Sequence, residues 1–140
     1  MFERMTDSAR RAIFWARKEA HELRSPDIRS EHLLYGVVRE DEPLLRHLAG
    51  PDFEIIQQRL EFSGPRHPDL HQDLPLNEES KEVLKSFMAE ADKAGDWIIG
   101  TQHLVAGFLL LPESQGAKIL LESGLTLEKI REEISQRPRQ

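Results

Sequence analysis

Cysteine is absent from this 140-residue chain, which removes disulfide frameworks, thiolate metal sites and cysteine nucleophiles together. That fits a reducing compartment. No apolar run approaches the ~18 residues of a membrane span. Met1-Phe2-Glu3-Arg4-Met5-Thr6 also lacks the charged-then-apolar layout of a signal peptide. The expected setting is cytoplasmic, with no membrane partner. Positive charge is scarce as well. A net charge of −6 leaves no broad basic face for phosphates, so nucleic-acid binding is not expected. One local cluster, Arg10, Arg11, Arg17 and Lys18, reads as a solvated helix face. Catalytic signatures are missing too: there is no Gly-Lys-Ser/Thr phosphate loop, dinucleotide fingerprint, Gly-x-Ser-x-Gly or His-Glu-x-x-His. Neither catalysis nor ATP binding is expected, and no cofactor or metal.

What is present is a repeat. Ser30-Glu31-His32-Leu33-Leu34-Tyr35-Gly36 returns 71 residues later as Thr101-Gln102-His103-Leu104-Val105-Ala106-Gly107. The register runs upstream without a gap, placing Ile13 on Leu84, Glu19-Ala20 on Glu90-Ala91 and Ile28 on Ile99. Only six of 31 aligned pairs are identical. The duplication therefore rests on caps, apolar stripe and glycine keeping step, as in a unit that packs against its own copy. With 39% hydrophobic and 31% charged residues, the chain reads as one soluble globular domain, 1–140.

Thr6 is a good helix N-cap, with Asp7 suited to the positive end of the dipole. Ala9, Ala12, Ile13, Ala16, Ala20 and Leu23 then recur at spacings of three and four. The copy starts at Asn77, carries Ser80, Val83, Leu84, Phe87, Ala91 and Ala94, and stops at Gly95. Ser30 and Thr101 are expected to cap a short apolar second helix in each copy. A third helix follows each, with Pro43 in its first turn and Ser114 leading its counterpart. The fourth begins at Asp52 and at Thr126, displaced by 74 residues. Trp97-Ile98-Ile99 is too short to build a sheet. The expected fold is all-α: a pseudo-twofold bundle of two four-helix repeats, about eight helices. Repeat one covers 1–62, a connector 63–75, repeat two 76–135 and a tail 136–140.

Near the positive end of a helix, His32 and His103 should be neutral and held by hydrogen bonds. Two histidines alone make a poor zinc site. His67 and His71, with Asp69 and Asp73, form the other metal-like cluster, although Pro65, Pro68 and Pro75 disfavour a regular helix there. A small metal-dependent hydrolase or metal sensor using His67 and His71 is the alternative function. The exposed-looking aromatics Phe2, Phe14, Trp15 and Trp97 could together line a groove for an apolar peptide.

The opening Met-Phe-Glu-Arg-Met-Thr, the caps at Thr6 and Asn77, and the doubled Ser/Thr-Glu/Gln-His-Leu with its glycine resemble the N-terminal domain of the Clp (Hsp100) unfoldase ATPases. The likeness covers roughly residues 1 to 135. It implies a pseudo-twofold helical bundle seated above an ATPase ring, receiving adaptors and substrates. The expected role is a protein-binding module of Clp-dependent quality control, a monomer whose partners are substrate proteins, adaptors or a Clp ATPase or protease. Phe2, Thr6, Glu31 and Gln102 are the expected binding residues. The family usually reads Gly-Thr-Glu-His in each copy. In some bacterial members the resemblance implies that the two motif acids take the guanidinium of phosphoarginine and helix N-termini suit the phosphate. Here Glu31 keeps the acid, Gln102 offers no charge, and Arg29 stands where the family has glycine.

Overall fold

The computed structural model describes residues 2–61 and 74–137. Eight α-helices are present among them: α1 (Asp7–Glu22), α2 (Ser30–Glu40), α3 (Glu42–Ala49), α4 (Phe53–Arg59), α5 (Glu78–Ala94), α6 (Thr101–Leu109), α7 (Gln115–Glu122) and α8 (Leu127–Gln136). Short 3-10 turns precede α1 at Phe2–Arg4 and α4 at Gly50–Asp52. The architecture is all-α, as the apolar spacing indicates.

The pseudo-twofold relation is visible in backbone hydrogen bonds. Met5 bridges Ile99 and Ile28 bridges Leu76, both in parallel. At the repeat offset these are the same pair twice, with the chains exchanged. Thr6 N donates to Ile99 O at 3.0 Å, as Asn77 N does to Ile28 O at 3.1 Å. Ile99 N returns to Arg4 O at 2.7 Å, as Ile28 N does to Pro75 O at 2.8 Å. Each copy's lead-in segment is therefore satisfied by the other copy's loop, so neither half completes its own backbone pairing.

Packing explains the repeated glycine. The buried stripe of α1 is made of Ala9, Ala12, Ala16 and Ala20, small enough for α2 to lie almost backbone to backbone. A Cβ on Gly36 would sit 1.9 Å from the Ala12 carbonyl oxygen. At Gly107, α6 meets α5 instead, and a Cβ would fall 2.4 Å from the Phe87 ring. Helix α6 is the centre of the core: Leu104, Val105, Ala106 and Phe108 have no exposed surface. Phe108 packs edge-on against Phe87 at 5.4 Å.

The helix ends largely follow the sequence. The side chains of Thr6, Asn77, Ser114 and Thr126 each accept a backbone N–H of the first turn. Ser30 and Thr101 do not. The N-caps are Arg29 and Gly100, neither with an accepting side chain, and Ser30 and Thr101 are already the first helical residues. Their hydroxyls reach across the bundle. Ser30 Oγ donates to Glu79 at 2.6 Å and accepts Gly116 N at 3.0 Å, while Thr101 Oγ1 donates to Asp41 at 2.6 Å. These positions need a short hydroxyl because helix N-termini meet there: α2, α5 and α7 at Ser30, and α6 and α3 at Thr101. That is a tertiary requirement, and it overrides the local preference for a cap.

Candidate peptide-binding surface

The histidines supply the cap that Ser30 and Thr101 do not. His32 Nδ1 accepts Arg29 N at 2.9 Å, and His103 Nδ1 accepts Gly100 N at the same distance. This is the return half of a capping box, with histidine in the place of Glu or Gln. An accepting Nδ1 leaves the proton of His103 on Nε2, which faces Asp96 Oδ2 at 2.9 Å. Burial holds His32 down to about 4, helped by the nearby positive Arg29. Both rings are structural elements, as the helix-dipole argument anticipates.

The N-terminal turn is pinned to the α5–α6 loop by Arg4, which is 8% exposed. Its Nε donates to Trp97 O at 2.8 Å, and Nη2 donates to Asp92 at 2.7 Å and to Asp96 O at 3.1 Å. Its guanidinium lies 4.5 Å from the centroid of Trp97. Two residues away, Phe2 is left 49% exposed, and Trp97 is 64% exposed. Thr6 is half-buried, and its hydroxyl oxygen is committed to Ala9 N at 3.1 Å. Thr6 thus positions the segment and has no second role visible in its contacts.

Beneath that loop a cleft of about 310 Å³ opens between α5, α6 and α8. Gln102 lies in its wall, beside Ile98, Ala94 and Ile134. Charged groups ring these apolar faces: Lys93, Arg131 and Arg137 against Asp96 and Glu90. Glu90 is only 2% exposed and is matched by Arg131 at 2.6 Å. An apolar floor with a few oriented polar groups is the composition of a modest-affinity peptide site.

Glu31 is not among the cleft residues. It occupies the equivalent place in repeat one, half-buried, with Oε1 lacking a hydrogen-bond partner. Burial raises its pKa above the usual carboxylate range, and Glu79 and Asp27 add to this against Arg29 and its own backbone N–H. At the repeat offset, Glu19, Glu22, Asp27 and Glu31 stand where the cleft has Glu90, Lys93, Ile98 and Gln102. The two halves therefore share geometry and differ in charge. The structure groups Phe2, Thr6 and Gln102 around one loop and leaves Glu31 on the other copy. The His67, His71, Asp69 and Asp73 cluster lies outside the described residues, as do most of the connector and the end of the tail. Among the described residues, no group of three or more His, Cys, Asp or Glu is placed to hold a metal, and no helix is long and apolar enough to cross a membrane.

Comparison with known proteins places this geometry. The sequence profile of the Clp repeat (R) N-terminal domain matches residues 4–123, most of the chain. The chain belongs to that family. It is 32% identical over 139 residues to the negative regulator of genetic competence ClpC/MecB of Bacillus subtilis, covering 97% of this chain and 17% of that protein. The chain spans about 17% of the length of the curated relatives it matches. The N-terminal domain of Hsp104 from Candida albicans superposes with a TM-score of 0.71 at 20% identity, covering 96% of this chain and 95% of that one. A chain from a malarial protein secretion system superposes at 0.77 with 19% identity, covering 95% and 93%. These two likenesses establish the Clp N-domain fold. Within the family frame, Arg4 and Asp96 are the residues that sequence reading missed. Arg4 was legible only as part of the opening motif. Asp96 was hidden because its repeat partner is Ser25.

Proposed function

We propose that this chain is a non-catalytic protein-binding module of Clp-dependent protein quality control, presenting substrate or adaptor segments to a Clp unfoldase. In this reading residues 1–140 form one monomeric, cytoplasmic module whose two repeats pair through the Met5–Ile99 and Ile28–Leu76 bridges. The observation that carries it is the cleft walled by Gln102, Ile98 and Ile134, beneath the loop to which Arg4 ties the exposed Phe2. An extended segment would seat an apolar side chain among Ile98, Ala94 and Ile134 and hydrogen-bond to Gln102. Trp97, between the cleft residues Asp96 and Ile98, adds exposed apolar surface, and Phe2 adds more on the turn that Arg4 ties to that loop. The acid-rich copy around Glu31 suits a cationic group, because an under-paired, half-buried carboxylate gains from a guanidinium or ammonium. Family membership and the 32% identity to ClpC/MecB support the role.

The test is direct binding of a fluorescein-labelled, carboxymethylated unfolded protein, alongside affinity capture with captured proteins identified by mass spectrometry. Wild type should bind the unfolded probe and recover Clp ATPases, adaptors or clients. Phe2→Ala and Gln102→Ala should each weaken the probe several-fold, and Glu31→Ala should selectively weaken Arg-rich segments. No probe binding and no such proteins in the wild-type eluate would end the reading. Binding that all three variants leave intact would move the site elsewhere.

A further inference from the structure

The outer face of α1 carries features that the shared fold does not require. From Ser8 to Lys18 the sequence holds Arg10, Arg11, Arg17 and Lys18 and no acidic residue, in a chain whose net charge is −6. The aromatic pair Phe14-Trp15 lies among them. In the second copy the equivalent positions are Lys85 and Ser86, so the fold does not call for an aromatic at either position. Phe14 is 56% exposed, and its ring stands edge-on to Trp15 at 5.2 Å. Trp15 is held in place: its Nε1 donates to Glu40 at 2.8 Å, and the Arg39 guanidinium covers one face at 3.8 Å. Glu40, the carboxylate at the centre of this cluster, also takes Arg11 Nε at 3.0 Å and is 11% exposed at its side chain. Its charge is thus spent inside the cluster. Arg39, Lys18 and Arg17 remain around Phe14 as positive charge, and Arg17 has no ion-pair partner among the described residues.

We propose that this face is a second docking surface, for an acidic peptide segment that rests an apolar side chain on Phe14. A rigid aromatic anchor inside a ring of like charge has the anatomy of an interaction hot spot. Because Trp15 is already fixed, the platform beside Phe14 loses little side-chain freedom when a partner covers it. The basic ring selects partner sign and speeds encounter. Single-stranded nucleic acid fits less well, since it requires open ring faces for stacking, and Arg39 occupies that of Trp15. The surface is independent of Gln102 and Glu31, so its failure leaves the proposed function untouched.

The test uses the 140-residue chain carrying Trp97→Phe, which leaves Trp15 as its one tryptophan. A fluorescein-labelled peptide rich in Glu and Asp with leucines at helical spacing is titrated against it. Its twin with Lys for every acid, and an oligo-dT, are titrated in parallel. The acidic peptide should bind, change Trp15 emission and weaken as salt is raised. Phe14→Ala and Arg17→Glu should each cost about fivefold or more in Kd, while Lys118→Glu, an exposed charge reversal on α7, leaves it unaltered. The Lys twin should not bind. Equal binding of the Lys twin would overturn the proposal. So would acidic-peptide binding that both Phe14→Ala and Arg17→Glu leave unaltered in folded protein. Oligo-dT binding tighter than the acidic peptide, and lost in Arg17→Glu, would assign the face to nucleic acid instead.

Discussion

Replacing Gly36 by alanine should be among the most damaging single-methyl additions this protein can receive. In isolation the change favours the helix, since Ala exceeds Gly by about 0.8–1 kcal/mol in a helix interior. The structure reverses the sign. The new Cβ would lie 1.9 Å from the Ala12 carbonyl oxygen and 2.8 Å from its carbonyl carbon, and both are backbone atoms that no rotamer can move. Relief requires α1 and α2 to separate, which opens the alanine stripe along their whole contact. Overpacking in a well-packed core costs about 1–3 kcal/mol and more where backbone must shift, so a net loss of about 3 kcal/mol or more is expected. At ~2.1 cal/mol/K per residue, that lowers the melting temperature by about 10 °C. Urea titration and thermal circular dichroism of Gly36→Ala measure both quantities. Gly107→Ala is the informative comparison, because its nearest obstacle at 2.4 Å is the edge of the Phe87 ring, with Phe87 N next at 2.9 Å. A ring can tilt where a carbonyl cannot, so its loss should be smaller. A Gly36→Ala protein within 1 kcal/mol of wild type would show that the helices separate freely and that the repeated glycine has another cause.

Three further outcomes follow from named contacts. Arg24 has φ 57°, the left-handed conformation that its repeat partner Gly95 adopts at 77°; Arg24→Gly should stabilise by about 1 kcal/mol in urea titration. Ser30→Ala removes both the donor to Glu79 and the acceptor of Gly116 N, and should cost about 1–3 kcal/mol, whereas Ser30→Thr should recover part of it. His32 falls from 6.5 to about 4 on folding, so the unfolded chain binds the extra proton between those values. Stability should therefore be lost as pH drops through that window, by up to about 3 kcal/mol at 1.36 per unit. Glu31, whose pKa moves up, acts in the opposite sense. The wild-type minus His32→Asn difference in urea midpoint, followed from pH 7.5 downward, isolates the imidazole; a flat difference refutes the assignment.

The helices were legible because their signals are local. A cap three residues before its N–H and an apolar residue every third or fourth position are written in consecutive sequence, so Thr6, Asn77, Ser114 and Thr126 could be read directly. Ser30 and Thr101 misled for the same reason. Their hydroxyls look like caps by composition, yet their partners Glu79, Gly116 and Asp41 are 49 to 86 residues away. The histidine that replaces them as the capping group was visible, but only as an unexplained repeat. The exchanged bridges Met5–Ile99 and Ile28–Leu76 show why two copies were needed at all, and one copy's sequence could never have shown it.

The candidate site divides along the same line. Gln102 could be singled out because the motif containing it occurs twice, and comparing two copies substitutes for an alignment. The cleft around it could not, because its walls come from the end of α5, the start of α6 and the face of α8, and no local pattern joins Lys93, Ile98 and Arg131. What the repeat does expose is divergence. Two halves held to one backbone geometry by Gly36/Gly107, His32/His103 and the paired bridges differ in their cores, Ala12 against Val83 and Ala16 against Phe87, and again where solvent reaches them. There they differ in charge, Glu22 against Lys93 and Glu31 against Gln102. Packing constrains the residues of the core, so differences at equivalent places that solvent reaches are where binding specificity is free to reside. On that argument Glu31→Gln should make the first half resemble the second in ligand preference, and Gln102→Glu the reverse. Titration with Arg-rich and Asp-rich peptides measures both: Glu31→Gln should shift preference away from Arg-rich peptides and Gln102→Glu toward them, and unchanged preference in both would sever specificity from the repeated motif.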